Sequence, residues 1–424
     1  MSNEICGRVA RFFAEHNPPT PCLVVDLAVV AQRYRELQAA MPFATPYYAV
    51  KACPEPEVIR VLAELGACFD VASPAEIDLC LEQGAAPDTL SYGNTIKKES
   101  DISYAHHSGV RLFAFDNTRE ADKLAKSAPG ASVFCRLLTG SAGARWPLSD
   151  KFGCSPAFAV GLLQQAAMLG LNPCGLSFHV GSQQTDPSRW EASIAAAAQV
   201  FAELKLAGIE LSMLNIGGGY PAQYVEEIPP ISRYGEVIGA ALDRWFGTTD
   251  RPAIVSEPGR YLAADAGVLR TQVVSVRRAI EGGDRWVYLD AGRFGGLAET
   301  EGEAIRYRLV TNYQGPTIPV VLAGPTCDSV DIIYRQTKYH LPLALDIGDT
   351  VDFLSAGAYT ASYSSSGFNG FPPLPTYCIG EESWHQQSES ASVDEYCCSA
   401  ADLFPNACNH SSYGMSTCTS TNSP

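Results

Sequence analysis

The run Tyr47-Tyr48-Ala49-Val50-Lys51 is apolar and β-prone, and it ends on a lysine before Ala52-Cys53-Pro54 and a helical pattern. A lysine at the end of a buried strand aims its amine at one spot, and desolvation lowers its pKa and frees the lone pair for imine chemistry with an aldehyde. Taken alone, such a lysine is more often solvated or ion-paired than nucleophilic. Its company changes that balance. The ends of the successive strand candidates carry Lys51, Asp70, Asn94, Asp116, Arg136, His179, Gly217-Gly218-Gly219 and Glu257. Any one of these is best read as a satisfied structural polar group, but the whole set is costly to bury without a shared ligand.

The residue types suggest what that ligand is. A triple glycine after a strand lets backbone N–H groups approach an anion closely, although any tight turn also uses glycine. Arg260, three residues past Glu257, offers a fork of donors to the same anion. A carboxylate facing a pyridine nitrogen keeps it protonated and makes the ring an electron sink. His179 can stack on a flat ring or serve as a hydrogen-bonded core residue. Lysine, anion cradle and pyridinium partner together describe pyridoxal 5'-phosphate.

The elements that must position these groups follow from periodicity. Strand candidates at 47–51, 68–72, 89–92, 112–115, 132–138, 175–180, 211–216 and 253–256 alternate with helical stretches such as 54–65, 156–169, 188–207 and 233–246. Ser73-Pro74-Ala75-Glu76 is a capping-box signature with proline at the first helical position. Eight β-then-α units predict an α/β fold, a (β/α)8 TIM-like barrel, whose active site lies at the C-terminal strand ends. A doubly wound open sheet is the competing architecture, and the count of eight favours the barrel. Beyond about residue 268 the rhythm changes to strands without long helices, at 268–278, 285–290, 318–322 and 350–354, which predicts a C-terminal all-β domain. The expected division is residues 1–27, whose strand at 20–27 joins the β-domain, then a cofactor-binding barrel at 28–267, a β-domain at 268–379 and a disordered tail at 380–424.

Bulk properties narrow the function classes. The chain has 424 residues, 46% of them hydrophobic, enough for two domains and a large core. A net charge of −16 argues against nucleic acid or an anionic membrane as partner. No apolar run reaches transmembrane length, and Met1–His16 lacks the apolar core of a signal peptide. Most of the 14 cysteines, including Cys22, Cys68, Cys80, Cys135 and Cys174, stand singly in apolar segments without metal-ligand spacing. They read as buried thiols of a cytoplasmic protein that holds no metal.

The runs Tyr48-Ala49-Val50-Lys51-Ala52, Ser177-Phe178-His179-Val180-Gly181-Ser182, Gly217-Gly218-Gly219, Glu257-Pro258-Gly259-Arg260, Gly324-Pro325-Thr326-Cys327-Asp328-Ser329 and Gly357-Ala358-Tyr359-Thr360 resemble the fold-type III decarboxylases. The likeness is greatest to ornithine/lysine decarboxylases of bacterial type, and it spans about residues 20–379. It implies an alanine-racemase-like barrel and a pyridoxal-phosphate-dependent carboxy-lyase acting on ornithine, lysine or a derivative in polyamine or specialised metabolism. By resemblance, Lys51 forms the internal aldimine, His179 stacks on the ring, Glu257 holds the pyridinium and Arg136 lies near the ring hydroxyl. Ser182, Gly217, Gly218, Gly219, Arg260 and Tyr359 hold the phosphate, and Asp70 lies near Lys51 and His179. Glu76 matches either a family acid near the cofactor or the capping box. The resemblance also implies a homodimer with shared sites, in which Cys327 protonates the product carbon, Asp328 binds the distal ammonium and Phe368 lines the substrate pocket. Lys151 and Asp331 match a cross-subunit ion pair.

One segment departs from the family pattern. Where a second acid for the distal amine is expected, this chain has Gly302 between Glu301 and Glu303, so a flanking glutamate such as Glu303 takes over or the substrate is unusual. A diaminopimelate-type decarboxylase is the alternative enzyme, disfavoured by Cys327-Asp328-Ser329 where those enzymes have Cys-Glu-Ser. An amino-acid racemase has no use for Cys327. A non-catalytic regulator of the antizyme-inhibitor kind would have lost cofactor residues that are all present here.

Overall fold

The computed structural model describes residues 7–147, 150–277, 283–313 and 315–380, so the expected tail beyond Gly380 lies outside the described residues. Eight parallel strands close into a barrel. They are Ala44–Ala49, Cys68–Val71, Leu90–Tyr92, Leu112–Phe115, Ser132–Arg136, Asn172–Ser177, Met213–Asn215 and Ala253–Ser256, and the last pairs back onto the first. That closure decides against an open sheet. Local chemistry starts the helices between the strands. The side chains of Ser73, Asn117 and Ser155 accept N–H bonds from Glu76, Glu120 and Phe158, and proline opens Pro74–Glu82 and Pro156–Met168.

The barrel interior is plugged. Tyr47, Cys68, Leu112, Ala114, Phe134, Cys174, Met213 and Val255 pack there as one buried cluster. With no room inside, a ligand can be met only at the rim.

The second unit is an eight-stranded mixed sheet built around Gly267–Arg277, which pairs antiparallel with Cys22–Asp26, Thr350–Leu354 and Arg285–Leu289. Cys22–Asp26 also lies parallel to Thr376–Ile379, so both ends of the described chain meet in this sheet. The strands Arg308–Thr311, Ile332–Pro342 and Thr376–Ile379 were not expected from the sequence. Ile332–Pro342 interleaves Arg335, Gln336, Lys338 and His340 with its apolar residues and therefore shows no clear run.

Two close approaches join the units at the rim. A side chain at Gly267 would come within 2.2 Å of Gly357, and one at Gly357 within 2.1 Å of the Ala263 carbonyl. This brings Tyr359 over the first barrel strand, where its N–H donates to the Ala52 carbonyl at 2.8 Å. The Ala49 N–H donates to the Pro258 carbonyl, and Val50–Ala52 turns into a 3₁₀ helix, so Lys51 sits just beyond the strand rather than ending it. Among the described residues no helix is long and apolar enough to cross a membrane, and the cysteines are free thiols.

Candidate active site

A cavity of about 360 Å³ opens at the C-terminal rim of the barrel, lined by Lys51, Trp146, His179, Ser182, Glu257, Arg260, Glu299 and Tyr359 among others. Lys51 is half open to it, with 51% of its side chain accessible, and its Nζ donates to Asp70 Oδ2 at 3.0 Å. Burial opposes the charge on Lys51, but Asp70, followed by Tyr359 and Glu257, outweighs it and holds the amine above its ordinary pKa. Sequence reasoning expected desolvation to lower that pKa. The ion pair reverses the sign. Asp70 is buried and its Oδ1 has no hydrogen-bond partner. A side chain at Gly93 would stand 2.0 Å from that oxygen, so glycine there gives the acid its space.

His179 lies two residues past its strand, in a loop. Its Nδ1 accepts the Gly181 N–H at 3.0 Å, which puts the ring proton on Nε2. Burial, then the charges of Arg136 and Lys51, lower its pKa to about 3, so the ring is neutral. Glu257 accepts the Asn215 amide at 2.6 Å, and Asn215 also accepts the Gly217 N–H at 2.9 Å. Burial, with the nearby Asp70, raises the Glu257 carboxyl to about 7. Gly217 and Gly219 adopt φ of +67° and +105°. Side chains at Gly217, Gly218 and Gly219 would stand 2.1, 2.1 and 2.3 Å from the carbonyls of Phe178, Glu257 and Gly181. Only glycine passes here.

Arg260 lines the cavity and is also paired within the protein. Its fork grips Glu299 at 2.6 and 2.7 Å rather than facing the cavity unpaired, and its remaining donors go to Ser182 and Tyr224. Tyr359 lies against it, with the guanidinium 4.8 Å from the ring centre. Glu76 serves its helix, donating its own N–H to Ser73 Oγ and accepting the Ala72 N–H at 2.6 Å. Asp116 accepts the Gly153 N–H and Asn94 the Ile96 N–H, so both polar strand ends organise loops. Arg136 lies over Phe152, 5.6 Å from the ring centre, within electrostatic reach of His179 and Glu257.

The remaining candidates lie elsewhere on the chain. Cys327 is exposed, its N–H donating to Asn369 Oδ1, while Asp328 Oδ1 accepts the Val330 N–H. Phe368 packs on Phe294 at 4.6 Å and lines a separate apolar cavity. None of these three lines the Lys51 cavity. Asp331 is spent within its own chain, accepting from the N–H groups of Arg293 and Thr326 and from the Thr326 hydroxyl. Glu303 corrects the expectation of a substrate-binding acid. Its carboxylate accepts the backbone N–H groups of Arg335, Gln336 and Thr337 at 2.6–2.7 Å, and those bonds outweigh burial to lower its pKa. Gly302 has φ of +59° and open space where a side chain would stand.

These groups fit pyridoxal 5'-phosphate. The cavity volume is in the usual range for a small cofactor. It holds a lysine amine ion-paired to the buried Asp70, a carboxyl in Glu257 poised to take a proton, and a wall where the backbone of Gly219 and Gly259 is laid bare. Among the described residues no cluster of His, Cys, Asp and Glu could hold a metal ion.

Residues 27–264 match the family profile described as pyridoxal-dependent decarboxylase, pyridoxal binding domain. The chain belongs to the pyridoxal-dependent decarboxylases. This decarboxylase is 35% identical over 365 residues to the lysine/ornithine decarboxylase of Selenomonas ruminantium, covering 86% of this chain and 91% of that one. It is 34% identical over 380 residues to antizyme inhibitor 2 of Xenopus laevis, covering 85% and 81%. The crystal structure of the Vibrio vulnificus lysine/ornithine decarboxylase complexed with putrescine superposes with a TM-score of 0.78 at 34% identity, covering 88% of this chain and 97% of that one. The enzyme is therefore a PLP-dependent amino-acid decarboxylase, and pyridoxal 5'-phosphate is its cofactor.

Sequence reasoning missed Asn215, Glu299, Tyr224, Trp146 and Gly93. Asn215 was within reach, since an asparagine ending a buried strand needs partners. Trp146, on a short ribbon paired with Ser182–Gln184, had no such signal.

Proposed function

We propose that this decarboxylase removes the α-carboxylate of a basic L-amino acid, ornithine, lysine or a modified derivative, to give putrescine, cadaverine or the matching amine. It does so as a homodimer with shared active sites in the cytoplasm. The observation that carries the reading is one cavity lined by Lys51, which is ion-paired to Asp70, by a neutral His179 and by a Glu257 poised near neutrality. Similarity to lysine/ornithine decarboxylases supports the substrate class.

Bound here, pyridoxal phosphate supplies an electron sink for the pair left behind when carbon dioxide departs. Lys51 is the amine that would join its aldehyde carbon, and Asp70 Oδ2 holds the Nζ proton whenever that amine is free. Glu257 would share a proton with the ring nitrogen, and the Asn215 amide keeps its carboxyl in place. His179, uncharged and tethered through Nδ1, offers a flat face without a competing positive charge. Ser182, Gly217, Gly218, Gly219, Arg260 and Tyr359 would hold the phosphate. Cys327 of the partner subunit would deliver a proton to the product carbon, and Asp328 of the partner subunit would bind the distal ammonium. Their position outside the Lys51 cavity of their own chain supports a site completed across the dimer. In this reading the barrel at 28–267 carries the cofactor, and the β-domain at 268–379, joined by the strand within residues 1–27, carries the partner's contribution. Free thiols among the described residues fit a reducing compartment. Retention of Lys51, His179 and Glu257 favours an enzyme over a non-catalytic regulator.

The test is an amine-product assay with ornithine, lysine, arginine, diaminopimelate and N-substituted relatives. Amine from one or more basic substrates is expected, and a yellow holoenzyme that forms amine from none of them refutes the reading. For the shared site, Cys327→Ala should keep the yellow colour and lose amine formation. Mixing it with Lys51→Ala should restore roughly a quarter of wild-type activity through hybrid dimers. Absence of rescue would refute the sharing.

A further inference from the structure

Of the nine free cysteines among the described residues, Cys135 and Cys154 bring their sulfurs within 3.5 Å of each other. Alternation along Ser132–Arg136 turns Phe134 into the plugged barrel interior and Cys135 outward, into the core that also holds Cys154 and Leu162 of the next helix. Cys154 stands one residue before the Ser155 cap of that helix and bridges to Leu137. Its N–H donates to the Arg136 carbonyl at 3.0 Å, and its carbonyl accepts the Leu138 N–H at 2.8 Å. A side chain at Gly153 would stand 2.7 Å from the Leu138 nitrogen, so the two stems lie backbone on backbone. The chain between the stems carries Thr139, whose hydroxyl donates to the His179 carbonyl at 3.0 Å, Trp146, which lines the cavity, and Phe152, on which Arg136 rests. Neither thiol has a part in the chemistry proposed above.

We propose that Cys135 and Cys154 form a redox modification site, a dithiol that a hydroperoxide converts to a disulfide, slowing decarboxylation. Cys154 is 8% exposed and Cys135 is fully enclosed, so the peroxide meets Cys154 first. Burial, then Cys154 itself, hold Cys135 well above an ordinary thiol pKa, so it stays protonated and waits as the second thiol. The Cys154 thiol gives up its proton, its sulfur takes one peroxide oxygen as the O–O bond breaks, and the released hydroxide joins that proton as water. Cys135 Sγ then attacks the sulfenic sulfur of Cys154, the S–O bond breaks, and the hydroxide leaves with the Cys135 proton as a second water. The two sulfurs supply the electron pair that reduces the peroxide. A disulfide holds its sulfurs about 2 Å apart, so the pair must close by about 1.5 Å. The stems are already in contact, so that shift passes to Phe152 and to the Arg136 guanidinium 5.6 Å from its ring centre. Arg136 lies within electrostatic reach of His179 and Glu257, and its displacement disturbs both.

The experiment treats the reduced, full-length holoenzyme with hydrogen peroxide, up to the dose at which half of the exposed Cys327 has reacted. Remaining thiols are blocked with N-ethylmaleimide in denaturant, and the digest is read by mass spectrometry. The expected product joins the Cys135 and Cys154 peptides, each having lost its thiol hydrogen, and disappears with dithiothreitol. Amine formation by wild type should fall about tenfold further than that of Cys154→Ser, since a misplacement of about 1 Å near a site costs up to about a hundredfold. Dithiothreitol should recover that difference. Cys327 is oxidised alike in both proteins, so the difference isolates the pair. Should Cys154→Ser fail to fold, Cys135→Ala takes its place with the same required difference. Absence of the Cys135–Cys154 linkage at that dose overturns the proposal, and so does linkage with equal losses of activity in wild type and variant. The linkage is read without substrate, so a chain that forms no amine before oxidation refutes the proposed function and not this site.

Discussion

Replacing Asp70 with asparagine removes a negative charge 3.0 Å from Lys51 Nζ and leaves the side-chain volume nearly unchanged. An opposite charge at such a distance moves a pKa by about 1–3 units. Lys51 is half open to water and keeps Tyr359 and Glu257 nearby, so the low end applies. We expect its pKa to fall by about one unit, which gives about ten times more unprotonated amine at any pH below the new value. The assay is stopped-flow absorbance of pyridoxal phosphate capture by cofactor-free enzyme across pH. The Asp70→Asn profile should shift about one unit lower, with capture about tenfold faster at a fixed mildly alkaline pH. Capture that is unchanged or slower at every pH, with an unaltered melting temperature, would refute the reasoning. It would mean that Asp70 holds the amine in place rather than charging it. Gly93→Ala, which drives a methyl to 2.0 Å from Asp70 Oδ1, should shift the profile in the same direction.

Three further outcomes follow from the same geometry. Glu257, raised from 4.5 to about 7, stabilises the fold most below 4.5 and loses that contribution as pH rises through 7. His179, lowered from 6.5 to about 3, does the reverse, its contribution being present above 6.5 and lost as pH falls toward 3. Cofactor-free Glu257→Gln should therefore lose stability on acidification from 6.5 to 4.5 more steeply than wild type, by up to about 1.4 kcal/mol per pH unit in urea melts; parallel slopes would contradict this. Glu303→Gln should cost about 2 kcal/mol by loss of charge-assisted bonds to three backbone N–H groups, with no change in KM for a basic substrate. A raised KM at unchanged stability would restore it as a substrate-binding acid. Gly218→Ala should cost about 1–3 kcal/mol and lower the yellow absorbance per subunit, since its methyl would stand 2.1 Å from the Glu257 carbonyl; full occupancy would argue against that wall.

Much of the barrel was legible because its strands are short apolar runs at regular spacing and its helices announce themselves through caps such as Ser73 and Ser155. Lys51, His179 and Glu257, read from the strand ends, line one cavity, because a closed barrel with a plugged interior forces polar strand ends to one rim. It failed at Asn94 and Asp116, which have the same type and position but are taken by the N–H groups of Ile96 and Gly153. Loop amides cast no shadow in a hydrophobic pattern.

Residue type and order were enough to specify a barrel, a lysine suited to an aldehyde cofactor and a carboxylate suited to a pyridine nitrogen. Those follow from local periodicity and from chemistry that each side chain carries wherever it lies. Partnership between distant residues needed the fold. Glu299, Glu301 and Glu303 stand two residues apart and are chemically alike. Only the tertiary arrangement gives the first to Arg260 and the third to the amides of Ile332–Pro342, leaving the second exposed with Arg293 at 3.4 Å. The same holds for Lys51. Its surroundings in sequence are apolar and argue for a lowered pKa, whereas Asp70, nineteen residues away, decides the sign, because a charge at 3.0 Å outweighs burial.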